Sequence, residues 1–252
     1  MDDPMLMAGL VAASFLAACM QAATGFGYAV LAVPIYLLML PAREAVQINV
    51  LLSCIVMAVM TAGLWRHAPW RLILRVAAGS VLGVPLGLYF LAQAPDRVVK
   101  IAVGLVLAFF LGFILYRRRA KPVRADDRPP DRPLAEGVTG FFGGALGAGI
   151  GMPGPPLLVY FGIAGGGKNI VRPAIMAYLL LAFIGIAALN QAGVGYDPQV
   201  LRVTLWLIPP VLLGCACGAW GARHIDQKRF DWVTLGALSI TAASMLVAVV
   251  RG

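Results

Sequence analysis

From Met5 to Leu40 the chain reads MLMAGLVAASFLAACMQAATGFGYAVLAVPIYLLML, 36 residues without a charged side chain, flanked by Asp2 and Asp3 on one side and Arg43 on the other. As one helix this stretch would be roughly 54 Å long at about 1.5 Å per residue, whereas a bilayer core is about 30 Å thick. A straight helix does not fit, so the segment must break. The break is expected at Thr24-Gly25-Phe26-Gly27, where two glycines stand two residues apart and Pro34 follows. Inside a membrane such interruptions persist where protein or a water-filled cavity satisfies the freed backbone groups. A paired breaker within a hydrophobic segment therefore points to a transport site.

The rest of the chain agrees with a membrane setting. Its 252 residues are 61% hydrophobic and 12% charged, with a mean hydropathy of +0.87. These values exclude an ordinary soluble domain and describe a polytopic membrane protein. The net charge of +9 could suggest nucleic acid. However, the Lys and Arg lie almost entirely in short connections between apolar segments, where positive-inside bias puts them, so no nucleic-acid partner is expected. Met1-Asp2-Asp3 offers no basic leader, and the first segment is expected to stay in the mature protein. Cys19, Cys54, Cys215 and Cys217 lack metal-ligand spacing and read as small packing residues, with sulfur chemistry at a transport site as the alternative.

Further apolar spans run over Ala45–Trp65, Val76–Ala94 and Ile101–Tyr116, separated by basic or polar connections. Gly79, Gly83 and Gly87 recur every four residues and predict a face for close helix packing. The stretch 117–136, RRRAKPVRADDRPPDRPLAE, is rich in proline and charge and reads as a flexible linker. A second long region, Leu134–Gly167, is uncharged apart from Glu136 at its start and carries Gly147, Gly149, Gly151, Pro153, Pro155 and Pro156. Gly25-x-Gly27 and Pro34 match Gly147-x-Gly149 and Pro156 at an offset of 122 residues. Arg43-x-Ala45 matches Arg172-x-Ala174 at 129, and Gly83 and Gly87 match Gly214 and Gly218 at 131. An ordered series of this kind predicts two structural repeats.

Charge distribution bears on their relative orientation. If each broken region crosses once, Lys and Arg divide 12 to 8 in favour of the central-loop side; if each enters and leaves on one side, they divide 15 to 5. The second arrangement obeys the positive-inside rule better. The expected fold is thus an all-α membrane protein of two inverted structural repeats, each with a broken or hairpin first segment followed by three spanning helices. Residues 1–116 form the first transmembrane repeat, 117–136 a cytoplasmic polar linker and 137–252 the second repeat, with both termini facing outward.

A GxG break exposes backbone N–H groups, and the helix that restarts there presents the positive end of its dipole. Two such breaks meeting at the midplane would hold an anion without a buried cation. Candidate substrate-binding residues are Thr24, Gly25, Phe26, Gly27, Gly147, Gly149 and Gly151; the alternative is that these glycines serve tight helix crossing. Arg43 and Arg172, at matching positions before the following helices, would attract anions or else anchor helix ends at lipid headgroups. Gln47 and Asn49 are polar amides at membrane depth, suited to ligand contact or to interhelical hydrogen bonds, as are Asn190 and Gln191. Tyr178, like Tyr28 and Trp206, could wall a pocket, with packing as the alternative.

No Asp or Glu falls well inside a span, and His67 and His224 lie in connections. Neither a carboxylate proton relay nor a metal, haem or acid–base site is evident, and no cofactor and no enzymatic activity are expected.

The stretch TGFGYAVLAVPIYLLMLP with Arg43 and Ala45 behind it, and its weaker copy GALGAGIGMPGPPLLVYFGIAGGG with Arg172 and Ala174, resemble the TauE/SafE family of sulfite and organosulfonate exporters. The resemblance covers essentially the whole chain. It implies a multipass transporter in the bacterial cytoplasmic (inner) membrane that moves small sulfur-containing anions such as sulfite, sulfoacetate or related sulfonates. Met152-Pro153-Gly154-Pro155-Pro156 departs from the plainer glycine run expected in the second copy. The primary expectation is a secondary transporter exporting such an anion by alternating access, in contact with membrane lipid. A passive anion channel and a non-transporting scaffold, which would use the glycine faces for assembly, are the alternatives, and a homo-oligomer is open under each reading.

Overall fold

The computed structural model describes residues 4–25, 27–119, 131–222 and 236. They form α1 (Pro4–Thr24), α2 (Tyr28–Met39), α3 (Ala42–Thr61), α4 (Trp70–Gln93), α5 (Asp96–Arg119), α6 (Pro133–Ile150), α7 (Gly154–Ala164), α8 (Lys168–Gly193) and α9 (Pro198–Gly221), with one short 3₁₀ turn at Trp65–His67. The described residues hold no strand and form an all-helical membrane protein. Six helices among the described residues are long and apolar enough to cross a membrane: Pro4–Thr24, Ala42–Thr61, Trp70–Gln93, Asp96–Arg117, Asn169–Gly193 and Pro198–Gly221.

The helix bounds follow local chemistry. The span expected over Ala45–Trp65 ends at Thr61, ahead of Gly63 and the basic pair Arg66-His67. The next helix starts at Trp70, directly after Pro69, and so takes Arg71 and Arg75 into its first turns. Asp96 opens α5, where a carboxylate complements the helix dipole. The long uncharged segment breaks between Thr24 and Tyr28, as its length requires.

Both broken segments are antiparallel hairpins. In the first, the Ser14 and Tyr36 hydroxyls share a hydrogen bond of 2.7 Å, and nearer the tip Gln21 meets Tyr28. In the second, Glu136 faces Tyr160 and Gly147 faces Pro153. The returning arms have 12 and 11 residues. At about 1.5 Å per residue they reach roughly 18 Å, short of a bilayer core of about 30 Å. Each hairpin therefore pairs a long arm with a partial one.

The chain divides into two compact units, each discontinuous in sequence. One comprises Met1–Val56, Ala94–Leu111 and Tyr196–Gly252; the other comprises Met57–Gln93 and Gly112–Gly195. In the first, α1 packs on α9, and in the second, α4 packs on α6. Glycine governs both crossings. A Cβ built at Gly79, Gly83 or Gly87 would collide with the carbonyl oxygen of Gly137, Phe141 or Ala145 respectively, and one at Gly140 or Gly144 with that of Val76 or Ser80. At Gly214 and Gly218 it would meet the carbonyl oxygens of Phe15 and Cys19. The helices in each pair run parallel, because contact positions advance together along both. Backbone thus lies on backbone, which is the packing predicted from the four-residue glycine spacing.

Candidate functional site

The first hairpin tip is a buried turn without charge. Gly25 has φ 81° and Gly27 φ 129°, values that L side chains rarely adopt. The Gly25 amide donates to the Gln21 carbonyl at 2.7 Å, closing α1. Thr24 donates its hydroxyl to the Met20 carbonyl at 2.7 Å, so in this conformation that proton serves the helix end. The Tyr28 amide, first in α2, donates to Gln21 Oε1 at 2.9 Å, and one side chain thereby bridges the break. Phe26 lies outside the described residues.

Behind the tip, Tyr28 and Tyr36 are fully buried and their hydroxyls lie 3.2 Å apart, with Ser14 completing the chain through Tyr36. Ser14 in turn donates to the Leu10 carbonyl at 2.5 Å. Three hydroxyls thus share an otherwise apolar interior, each with a partner, as burial demands.

The second break lies later than the glycine pairing suggests. Gly147 and Gly149 are helical, within the last turn of α6, and the turn falls at Gly151 with φ 75°. Gly151 donates to the Gly147 carbonyl at 3.0 Å and Met152 to that of Leu146 at 3.2 Å, a left-handed glycine cap. Gly147 and Gly149 make room instead: added Cβ atoms would press on Ile186 and Pro153, and on Phe90, respectively. Gly151 is therefore the counterpart of Gly25, four residues beyond the position that the sequence pairing gives. The two restarting helices differ in donors. α7 begins Gly154-Pro155-Pro156, and proline has no N–H to offer an anion.

The other candidates divide by exposure. Arg43 and Arg172 lie in the first turns of α3 and α8 and are exposed. Gln47 and Asn49 are buried in α3 at 3% and 0% exposure. Ser53, one turn beyond Asn49, is buried with no hydrogen-bond partner for its Oγ among the described residues. Tyr178 is fully buried in α8; its hydroxyl meets Ser80 Oγ at 2.9 Å and occupies the space that Gly143 leaves by having no side chain. It thereby ties α8 to α4 and α6.

Sequence reasoning missed Gln21, Ser14, Tyr36, Ser53 and Ser80, and it treated Glu136 as a boundary charge. That carboxylate is fully buried, accepting from Arg75 at 3.1 Å, Tyr160 at 3.1 Å and the Arg132 amide at 3.0 Å. Arg75 also pairs with Asp131. Gln21 carried a usable signal, a polar amide one turn before a GxG break; Glu136 carried none, because its burial depends on α4 and α7.

A family model described as the sulfite exporter TauE/SafE matches residues 10–245. No curated protein and no solved structure matches the chain.

Proposed function

The chain belongs to the sulfite exporter TauE/SafE family, a family of membrane transporters, and on that premise we propose that it is a secondary transporter exporting a small sulfur-containing anion, such as sulfite or sulfoacetate, across the cytoplasmic membrane by alternating access. The observation that carries this reading is the first hairpin tip: buried, uncharged, turned by Gly25 and Gly27 at positive φ, and placed where α2 presents its amide end. Anions gather at such helix starts without a buried cation. Thr24 to Gly27 and the buried polar positions Gln47, Asn49 and Ser53 are the proposed contacts. Ser53 adds a buried hydroxyl with hydrogen-bonding capacity unspent, which an anion or its water shell would use.

The second tip, with Gly147, Gly149, Gly151 and Tyr178, is the poorer donor to an anion, since Pro155 and Pro156 at the start of α7 carry no N–H. Arg43 and Arg172, exposed at helix starts, draw anions toward the mouths. Alternating access is supported by the reciprocal pairing, in which each unit combines the first helix of one half with the fourth of the other, α1 with α9 and α6 with α4. A returning hairpin at the start of each half, with the three spanning helices that the sequence predicts after it, favours inverted repeats with the central linker cytoplasmic.

The test is flux from proteoliposomes loaded with sulfite or sulfoacetate, with and without the same anion outside. Saturable flux accelerated by external anion is the expected result. Linear, unaccelerated flux would make the protein a channel, and no flux of any sulfur anion would remove the substrate class.

A further inference from the structure

At the starting ends of α1 and α9 lies a hollow of about 570 Å³. Asp197, Gln199 and Arg202 give it polar lining, and Met7, Val203 and Trp206 give it apolar lining. Asp197 caps α9 by accepting from the Gln199 amide at 2.7 Å through one carboxylate oxygen, which leaves the other available. Arg202 is exposed and makes no hydrogen bond or ion pair among the described residues. A cation and an anion thus share one hollow without spending their charge on each other.

Depth identifies the occupant. Along α9, Asp197 to Arg202 covers about 7 Å at about 1.5 Å per residue, comparable to the interfacial zone of one leaflet, and Trp206 lies roughly 6 Å deeper. Below the charged rim the outer face of α9 carries Leu205, Trp206 and Leu213, each more than 60% exposed. A tryptophan beneath an arginine, set among exposed leucines, is the profile of a helix meeting headgroups and then acyl chains. The carboxylate argues against a simple anion, as does Glu44, which lies within electrostatic reach of Asp197. We infer that this hollow binds a zwitterionic phospholipid with a primary ammonium, its phosphate on Arg202 and Gln199, its ammonium on Asp197 and an acyl chain along Trp206. In the topology proposed above this lipid belongs to the outer leaflet.

The test uses the full-length protein, delipidated in detergent, with lipid binding followed by native mass spectrometry and by thermal melting. Phosphatidylethanolamine is compared with phosphatidylcholine, phosphatidylglycerol and free phosphoethanolamine. Phosphatidylethanolamine should bind most tightly and raise the melting temperature most. Arg202→Gln should weaken it about tenfold, the loss of one charge-assisted contact. Asp197→Asn, which keeps a competent helix cap, should erase the preference over phosphatidylcholine while leaving the unliganded melting temperature unchanged. Equal binding of the three lipids, or unaltered binding by Arg202→Gln, overturns the proposal, and so does equal protection by free phosphoethanolamine, which would make the hollow a site for a soluble zwitterion. None of these readouts depends on transport, so the assignment stands or falls apart from the exporter reading.

Discussion

At φ 81°, Gly25 holds a conformation that costs a residue bearing a Cβ about 1–2 kcal/mol. Gly25→Ala is expected to lower stability by about that amount, measured by melting in detergent. Gly25→Leu should go further and abolish anion exchange in proteoliposomes while the protein remains folded, because a bulky side chain at the turn would disturb the α2 start that is proposed to meet the anion. Normal exchange by this variant would remove the tip from the site. Gln21 gives a second test at the same scale. Gln21→Leu leaves the Tyr28 amide without its side-chain partner, and losing such a buried bond costs about 1–3 kcal/mol. Exchange should fall with stability, whereas Gln21→Glu, which keeps an acceptor but adds negative charge beside the proposed anion, should retain more stability than activity. The glycines were legible in the sequence because few other residues break an apolar helix cheaply. The acceptor role of Gln21 was not, because it depends on the chain turning back by way of Gly25 and Gly27.

Between elements, the four-residue glycine spacing of α4 predicted close packing, and α6 answers it with Gly140 and Gly144 set against the Val76 and Ser80 carbonyls. Gly83→Ala would push a methyl onto the Phe141 carbonyl oxygen; overpacking of this kind costs about 1–3 kcal/mol, and backbone cannot move aside as a flexible side chain can. Gly112→Ala in α5 is the matched control, since nothing lies within 4 Å of its added Cβ. It should be neutral or stabilising by up to about 1 kcal/mol through helix propensity. Comparable losses in both variants would show that helix propensity, and not contact, governs glycine in these helices. The hairpins were legible in outline, because an uncharged stretch longer than a bilayer is thick has to turn. The register of the second was not. Gly147 and Gly149 repeat the GxG letters of the first tip, yet the α6 helix runs on through both and stops where Gly151 supplies a left-handed cap and Pro153 follows. Letter matching found the region, and backbone conformation set the position within it. The Glu136 cluster belongs to the same class: a carboxylate three residues into α6 reads as solvated until α4 and α7 close over it.

For the molecule as a whole, the proposed topology rests on charge and on the returning hairpins together. With both hairpins re-emerging on the side they enter, fifteen of the twenty Lys and Arg fall on the side of the central linker. Positive-inside bias then makes that side cytoplasmic. The parallel pairing of α1 with α9 and of α4 with α6 is consistent with this arrangement, but it holds equally if each broken segment crosses once, because parity is the same for those four helices. What separates the two is the terminus. With the three spans that the sequence predicts after each broken segment, a returning hairpin in each half puts the N- and C-termini on one face, opposite the linker, whereas single crossings put both termini on the linker's face. A reporter fused at Gly252 that is active only outside the cytoplasm should therefore be active, while one inserted within residues 120–130 should be silent. Silence at Gly252 would remove the inverted arrangement and the leaflet assigned to the lipid site. It would leave untouched the proposed anion chemistry of the Gly25–Gly27 tip, which depends on the turn and not on the side from which the anion arrives.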